Sequence, residues 1–372
     1  MDWIFNVPIK FFEYDLAEFK DKLLNFKDKQ SIVIASGRLL SSCNLKSIFD
    51  EFDNIFLINE SIANPDIHLL DKIMSNLSFK PELIISIGGG SSIDLAKAIS
   101  ALFKYKDDLD YEKILELLKT KEYLENEDFI PFIAVPTTAG TGSECTKWAT
   151  IWDFDNSKKY SIDADYLYPQ ESWLVPELTS TLNPELTLAT GLDALSHAME
   201  SYWSNASNSY TRVLARDSIK IITKYLPLVL SNLDNLDYRK QMLMGSFFAG
   251  LAFSNTRTTA SHSISYPLTM KFEINHGFAV AFTLFEVLKR NWGCIEDKEL
   301  FLESFGAKNI NDVEKWFKDV SDDIQDLNLS SFGVKKEEIE DIVKLATTGG
   351  RMDNNPIIFN EKEIEDILIN VF

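Results

Sequence analysis

The sequence predicts two unlike halves, an α/β domain over residues 1–180 and an all-helical domain over residues 181–372. Three observations carry this. Short β-branched runs alternate with helical spacing in the first half, and strand-like runs nearly vanish after Pro184. The chain, at 372 residues, is also long enough to bury two hydrophobic cores.

In chain order, residues 31–35 (SIVIA), 55–58 (IFLI), 83–87 (LIISI) and 132–135 (FIAV) read as buried strands. Helical spacing fills 66–77 and 91–105 between them, and such alternation implies parallel strands covered by helices on both faces. The boundary falls between Pro176 and Pro184. Beyond it come helices over 186–203, 210–230 and 237–253, then several more, with no internal repeat or low-complexity tract.

Composition narrows the function. Fifty-seven acidic against 37 basic residues give a net charge of −20, which opposes binding to nucleic acid or to anionic lipid. Cys43, Cys145 and Cys294 are odd in number and far apart, so no disulfide framework is implied and a reducing cytoplasm fits best. The N-terminus lacks the basic start and apolar run of a signal peptide, and no apolar stretch of about 20 residues suggests a membrane span.

Three segments carry chemistry. Asp193 and His197 lie four apart on a helix, so a carboxylate and an imidazole share one face. With His262 and His276 they make a set of three nitrogens and one oxygen that suits divalent iron or zinc. Singly, each histidine reads as packed or surface; as a group they read as a metal site, with His68 left as structural. The second segment runs from Ile87 through Gly88, Gly89 and Gly90 to Ser91 and Lys97, a strand ending in glycines where a helix starts. This suits a pyrophosphate, although a tight strand-to-helix turn would look the same. The third, residues 136–144 (PTTAGTGSE), also follows a strand, and its hydroxyls and glycines are candidates for coenzyme contact or for a plain turn.

In this order, these segments resemble the iron-containing (group III) alcohol dehydrogenases, a family related in fold to dehydroquinate synthase and glycerol dehydrogenase. The likeness extends to Asn64-Pro65, Lys159, Pro169, residues 176–179 and residues 353–356 (DNNP). It implies a Rossmann-like dinucleotide-binding domain followed by a helical metal-binding domain, with the active site in the cleft between. It also implies that Asp193, His197, His262 and His276 are the metal ligands and that Gly89, Gly90 and Ser91 hold the pyrophosphate, with Asp94 in the same segment. Asn64, Thr137, Thr138, Thr141 and Lys159 match positions that line the rest of the coenzyme. The implied reaction is reduction of a small aldehyde by NAD(P)H, the metal acting as Lewis acid.

The departures from the family pattern concern the proton, the coenzyme and the substrate. Many members carry a further histidine four residues after the third ligand. Here Tyr266 stands there, a candidate proton donor beside water or a ribose hydroxyl. Where many NAD-preferring members end the first strand on an aspartate, this chain has Ser36, Gly37 and Arg38. That favours NADP(H) over NAD(H), unless Arg38 is only a solvated charge. Before the third ligand stand Arg257, Thr258 and Thr259, polar where relatives are small or apolar. Arg257, with Lys147, is a candidate receptor for a phosphonate, a salt bridge being the alternative. Together with Trp152-Asp153 and residues 158–161, this stretch looks like the phosphonoacetaldehyde reductase branch, which implies reduction of phosphonoacetaldehyde to 2-hydroxyethylphosphonate. A general aldehyde or diol dehydrogenase, a dehydroquinate synthase-like lyase and a non-catalytic binding protein remain as alternatives. A cytoplasmic homodimer is the expected form.

Overall fold

The computed structural model describes residues 7–156, 158–346 and 351–372. The chain divides into two compact units, Val7–Thr138 with Ser143–Thr181, and Ala139–Gly142 with Leu182–Phe372.

The α/β unit holds strands β1 (Lys10–Glu13), β2 (Ser31–Ala35), β3 (Ile55–Ile58), β4 (Leu83–Gly88), β5 (Phe132–Pro136), β6 (Trp148–Asp153), β7 (Lys158–Asp163) and β8 (Glu171–Leu174). Its helices are α1 (Leu16–Leu24), α2 (Gly37–Ser42), α3 (Lys46–Phe49), α4 (Ile67–Asn76), α5 (Gly90–Leu102) and α6 (Tyr111–Thr120). Six strands form one parallel sheet in the order β1-β8-β5-β4-β2-β3. Alternation along the strands feeds two cores. Ile32, Ile34, Ile84, Phe132 and Ala134 pack with residues of α4, α5 and α6, whereas Val33, Ile85, Ile133 and Val135 pack with residues of α1, α2 and α3. Both faces are thus covered, which is why these strands read as unbroken apolar runs.

Three strands and a hairpin partner escaped the sequence reading. β1 and β8 have four residues each, and β6 pairs antiparallel with β7 through mixed polar and apolar side chains. Gly88 at the end of β4 lies opposite Pro136 at the end of β5, so the segments that follow leave the same sheet edge side by side. Ligands collect at such edges.

The second unit contains α7 (Pro184–Trp203), α8 (Ser209–Ser231), α9 (Leu236–Thr256), α10 (Ala260–Phe272), α11 (His276–Asn291), α12 (Lys298–Phe305), α13 (Ile310–Ser321), α14 (Ile339–Leu345) and α15 (Glu361–Asn370). Among the described residues no strand follows Leu174, and no helix is long and apolar enough to cross a membrane. Asn183 caps α7 by accepting from the Leu186 amide, and Pro184 opens the helix at the position where a missing N–H costs nothing. From Thr187 onward nearly every α7 residue is buried.

Close approach explains two glycines. A Cβ at Gly277 would lie 1.9 Å from the Ala189 carbonyl oxygen, so only glycine lets α11 start against α7. At Gly142, with φ +58, a Cβ would lie 2.7 Å from the Gly250 Cα. The glycine at 142, expected as a possible coenzyme contact, is therefore required by packing against α9.

Candidate metal centre and coenzyme loops

Helix α7 places Asp193, His197 and Glu200 at i, i+4 and i+7, one face of the helix. His262 comes from the first turn of α10, and His276 is the first residue of α11. The four expected ligands meet. Asp193 Oδ1 lies 3.8 Å from His197 Nδ1, 3.8 Å from His262 Nε2 and 4.0 Å from His276 Nε2. His197 Nε2 lies 3.0 Å from His262 Nε2, and its ring stacks on Phe253 with centroids 4.2 Å apart. Asp193, His262 and His276 each offer a ligand atom within 4.8 Å of the others.

The residues present fit a divalent cation. Asp193 Oδ1 and His197 Nδ1 are both buried without a hydrogen-bond partner. A buried carboxylate oxygen left so carries a desolvation cost of about 1–3 kcal/mol or more, which a cation among the imidazoles would relieve. Three imidazole nitrogens and one carboxylate oxygen accept iron or zinc.

Glu200 escaped the sequence reading. It is fully buried and accepts from the amides of Thr259 (2.8 Å), Ser261 (2.8 Å) and His262 (3.3 Å). His262 Nδ1 lies 2.6 Å from Glu200 Oε2, the oxygen that also accepts from the Thr259 amide. Donation from Nδ1 leaves Nε2 with its lone pair toward Asp193, the arrangement that orients a metal-binding imidazole. Burial raises the Glu200 pKa, and the amide bonds oppose the shift. A lone acid seven residues after Asp193 in an apolar helix was the available signal.

The segment leading into His262 is clamped. Arg257 follows α9 with φ 59 and ψ 177, a combination costly for any residue but glycine. Asn354 Nδ2 donates to the carbonyls on either side of it, Thr256 (2.8 Å) and Thr258 (3.0 Å), and Asn354 Oδ1 accepts from Ser204 Oγ (3.0 Å). Asn355 exchanges amide hydrogen bonds with Asn291 at 2.8 and 2.9 Å. The 353–356 motif thus fixes the backbone around Arg257, whose side chain is exposed. Thr259 Oγ1 accepts from Trp203 Nε1 (3.0 Å). Tyr266 lies one turn past His262, half-buried. Burial raises its hydroxyl pKa, and the nearby Arg351 guanidinium opposes the shift.

In the α/β unit, Gly89 caps α5 without any side-chain hydrogen bond, leaving the first-turn amides to other partners. Ser91 Oγ donates to the Ala63 carbonyl, and the Thr137 amide donates to the Gly88 carbonyl at 3.0 Å. A Cβ at Gly89 would meet Thr138 at 3.4 Å. Asn64 is exposed and lines a pocket of about 230 Å³ with Ala63, Asp66 and Phe154. Lys159 is half-buried, its ammonium 5.4 Å over the Trp152 ring.

Asp94 is engaged within the protein. Oδ1 accepts from Ser143 Oγ (2.7 Å) and Oδ2 from the Thr150 amide (2.8 Å). Beneath it, the fully buried Lys97 donates to the Ser143 carbonyl and hydroxyl, Thr146 Oγ1 and the Trp148 carbonyl, all within 3.0 Å, and burial lowers its pKa to about 8. Glu144, also buried, is raised to about 7 by the same cause. Gly37 donates its amide to the Asn59 carbonyl (2.8 Å), and Arg38 Nη2 donates to the Thr181 carbonyl (3.2 Å). The Lys147 ammonium lies 2.6 Å from Asp165 and 3.3 Å from Asp163, so its charge is already paired. Thr141 falls in the stretch that groups with the helical unit. His68, outside both sites, pairs with Asp155 at 2.8 Å and stacks on Tyr111.

Comparisons with known proteins identify the family. Residues 7–176 match the iron-containing alcohol dehydrogenase model, and residues 187–372 match the Fe-containing alcohol dehydrogenase family C-terminal model. The 1-propanol dehydrogenase PduQ of Salmonella typhimurium is 32% identical over 275 residues, 73% of this chain and 69% of the relative. The sulfoacetaldehyde reductase of Bilophila wadsworthia is 30% identical over 304 residues, 78% of this chain and 77% of the relative. Among solved structures, sulfoacetaldehyde reductase from Bifidobacterium kashiwanohense in complex with NAD+ superposes with a TM-score of 0.88 at 26% identity, over 100% of this chain and 99% of that one. With both halves matched, the chain belongs to the iron-containing alcohol dehydrogenase family and is an NAD(P)-dependent enzyme of that kind.

Proposed function

We propose that this enzyme reduces a small aldehyde carrying an anionic tail, with phosphonoacetaldehyde, giving 2-hydroxyethylphosphonate, as the substrate. The observation that carries the reductase reading is the buried cluster of Asp193, His197, His262 and His276, with its unpartnered carboxylate oxygen and Glu200 behind His262. Those four residues would hold iron or zinc, and the cation would supply Lewis acidity to a carbonyl. Glu200 holds His262 in the tautomer that offers Nε2. Tyr266, its proton held by burial, is the side chain suited to hand a proton to the product alcohol. Gly89, Gly90 and Ser91 would bind the coenzyme's pyrophosphate at the N-terminus of α5, which no side chain caps.

The anionic tail is supported by the relatives named as sulfoacetaldehyde reductases and by Arg257 beside Thr258. Lys147, whose charge is paired with Asp163 and Asp165, is not offered for that role. A second reading, a neutral small aldehyde or alcohol, is favoured by the likeness to 1-propanol dehydrogenase. For the coenzyme, Arg38 supports NADP(H), while the reductase relative was solved with NAD+. The proposal includes a cytoplasmic homodimer, the commonest closed assembly.

The test is to load the protein with Fe(II) and follow oxidation of NADPH and NADH with phosphonoacetaldehyde and propanal in parallel. A kcat/KM strongly favouring phosphonoacetaldehyde is expected. Equal or better turnover of propanal would remove the anionic substrate and leave the family reading intact. No turnover of either aldehyde by metal-loaded protein would reject the reductase reading.

A further inference from the structure

Arg351 stands apart from the other cations around the metal ligands. It is half-buried, and its guanidinium lies 4.6 Å from the centroid of the Tyr266 ring. Its Nε donates to Thr258 Oγ1 at 3.3 Å. Among the described residues it has no carboxylate within ion-pair distance, in a chain with 57 acidic side chains. A partly desolvated guanidinium without a counter-anion is costly, and arginine's planar fork matches a tetrahedral oxyanion.

Its surroundings are built rather than loose. Thr258 is buried, and its backbone is gripped by Asn354, which also holds the carbonyl before Arg257. The Tyr266 ring lies under the guanidinium in a cation–π contact, which strengthens when partly desolvated. Tyr266 sits four residues past His262 on α10, about 6 Å along the helix axis, one turn away on the same face. The separation between a carbonyl oxygen and the anionic group of a two-carbon aldehyde is of the same order, roughly 5 Å.

We propose that Arg351, held by Tyr266 and Thr258, is the specificity-determining residue that receives the substrate's tetrahedral oxyanion, phosphonate or sulfonate. The proposal rests on the anionic-aldehyde reading and places the receptor at Arg351 instead of the exposed Arg257. The guanidinium supplies binding and orientation remote from the reacting carbon, so its removal falls mainly on KM for anionic substrates and on the ratio between anionic and neutral ones.

The experiment compares Fe(II)-loaded wild type, Arg351→Gln, Arg351→Lys and Arg257→Gln on phosphonoacetaldehyde, sulfoacetaldehyde and propanal. Binding of methylphosphonate is measured in parallel by calorimetry. The expected result has two parts: Arg351→Gln lowers the anionic-to-neutral ratio of kcat/KM by about 30-fold or more, and it abolishes methylphosphonate binding. Arg351→Lys restores part of the ratio because it keeps charge without the fork, whereas Arg257→Gln changes it by less than Arg351→Gln does. The two aldehydes tell phosphonate from sulfonate by which one the wild type prefers. Wild type that prefers propanal overturns the anionic reading and this assignment with it. Wild type that prefers an anionic aldehyde while Arg351→Gln keeps the same ratio overturns Arg351 alone. Should Arg351→Gln lose cooperative unfolding, Arg351→Lys decides: an unchanged ratio and unchanged methylphosphonate affinity overturn the assignment.

Discussion

The Lys97 network of the α/β unit and the histidine cluster of the helical unit treat their buried polar groups in opposite ways. Under the coenzyme loops, Lys97, Asp94, Ser143 and Thr146 satisfy one another, and Lys97 alone makes four hydrogen bonds. In the helical unit, Asp193 Oδ1 and His197 Nδ1 are buried with no hydrogen-bond partner. A satisfied network is scaffold, because adding a ligand would gain nothing there. Orphaned atoms among imidazoles mark where a ligand is required. The α/β unit presents the N-terminus of α5 without a side-chain cap, whereas the helical unit presents side chains.

That contrast can be broken, and the largest effect is expected at Asp193. Asp193→Asn should abolish iron retention and reductase activity while raising the melting temperature of the metal-free protein, since a buried carboxylate whose Oδ1 has no hydrogen-bond partner is replaced by a neutral amide. The gain should be on the order of 1–3 kcal/mol. Metal analysis alongside calorimetry of the apo protein checks it, and a fall in apo stability would show that the carboxylate is satisfied after all.

Lys97→Met should do the opposite. It leaves four acceptors without their donor and removes the cation 3.9 Å from Asp94, at a cost of about 3–5 kcal/mol in chemical denaturation, while iron stoichiometry per folded molecule stays at the wild-type value. Loss of iron together with stability would join the two sites.

Glu144 sharpens the scaffold side through pH. Its folded-state pKa is raised to about 7 from the ordinary glutamate value of 4.5, so the folded protein holds a proton that the unfolded chain releases. Stability from this group is therefore full at low pH and falls as pH rises between about 4.5 and 7. Glu144→Gln should flatten that decline, gaining on the order of 3 kcal/mol above neutrality, as read from urea midpoints across the range. A parallel decline in the variant would assign it elsewhere. The smallest change is expected for Glu200→Gln, which keeps the shape but weakens the hold on His262. Iron affinity should fall roughly 10–100-fold, measured by chelator competition.

Much of the fold was legible because its signals are local. Residues 31–35, 83–87 and 132–135 are strands buried on both faces and read as apolar runs, whereas 55–58, expected to be buried, is an apolar run at the sheet edge with Leu57 exposed. β1 and β8 were not legible, being four residues each, and neither was the β6–β7 pair, whose exposed positions interrupt the apolar pattern. The cluster of Asp193, His197, His262 and His276 was legible as rare residue types in a telling pattern. Glu200 was not, because nothing near it in sequence shows that its partner is His262, 62 residues on. Arg351 follows a glycine pair that gave no motif, and only folding brings it over Tyr266.

By itself, the sequence determined the sequence of elements, the chemistry of the ligand set and the glycines that end β4, since periodicity, side-chain type and backbone freedom are properties of neighbouring residues. Tertiary structure decided which polar groups are spent and which are left for a ligand. Asp94 and Asp193 are both helical aspartates in glycine-bearing segments, yet the first is satisfied by Ser143 and Thr150 and the second is left with a bare oxygen. Whether a charge has a partner depends on what long-range packing brings within about 3 Å of it, and no local pattern encodes that distance.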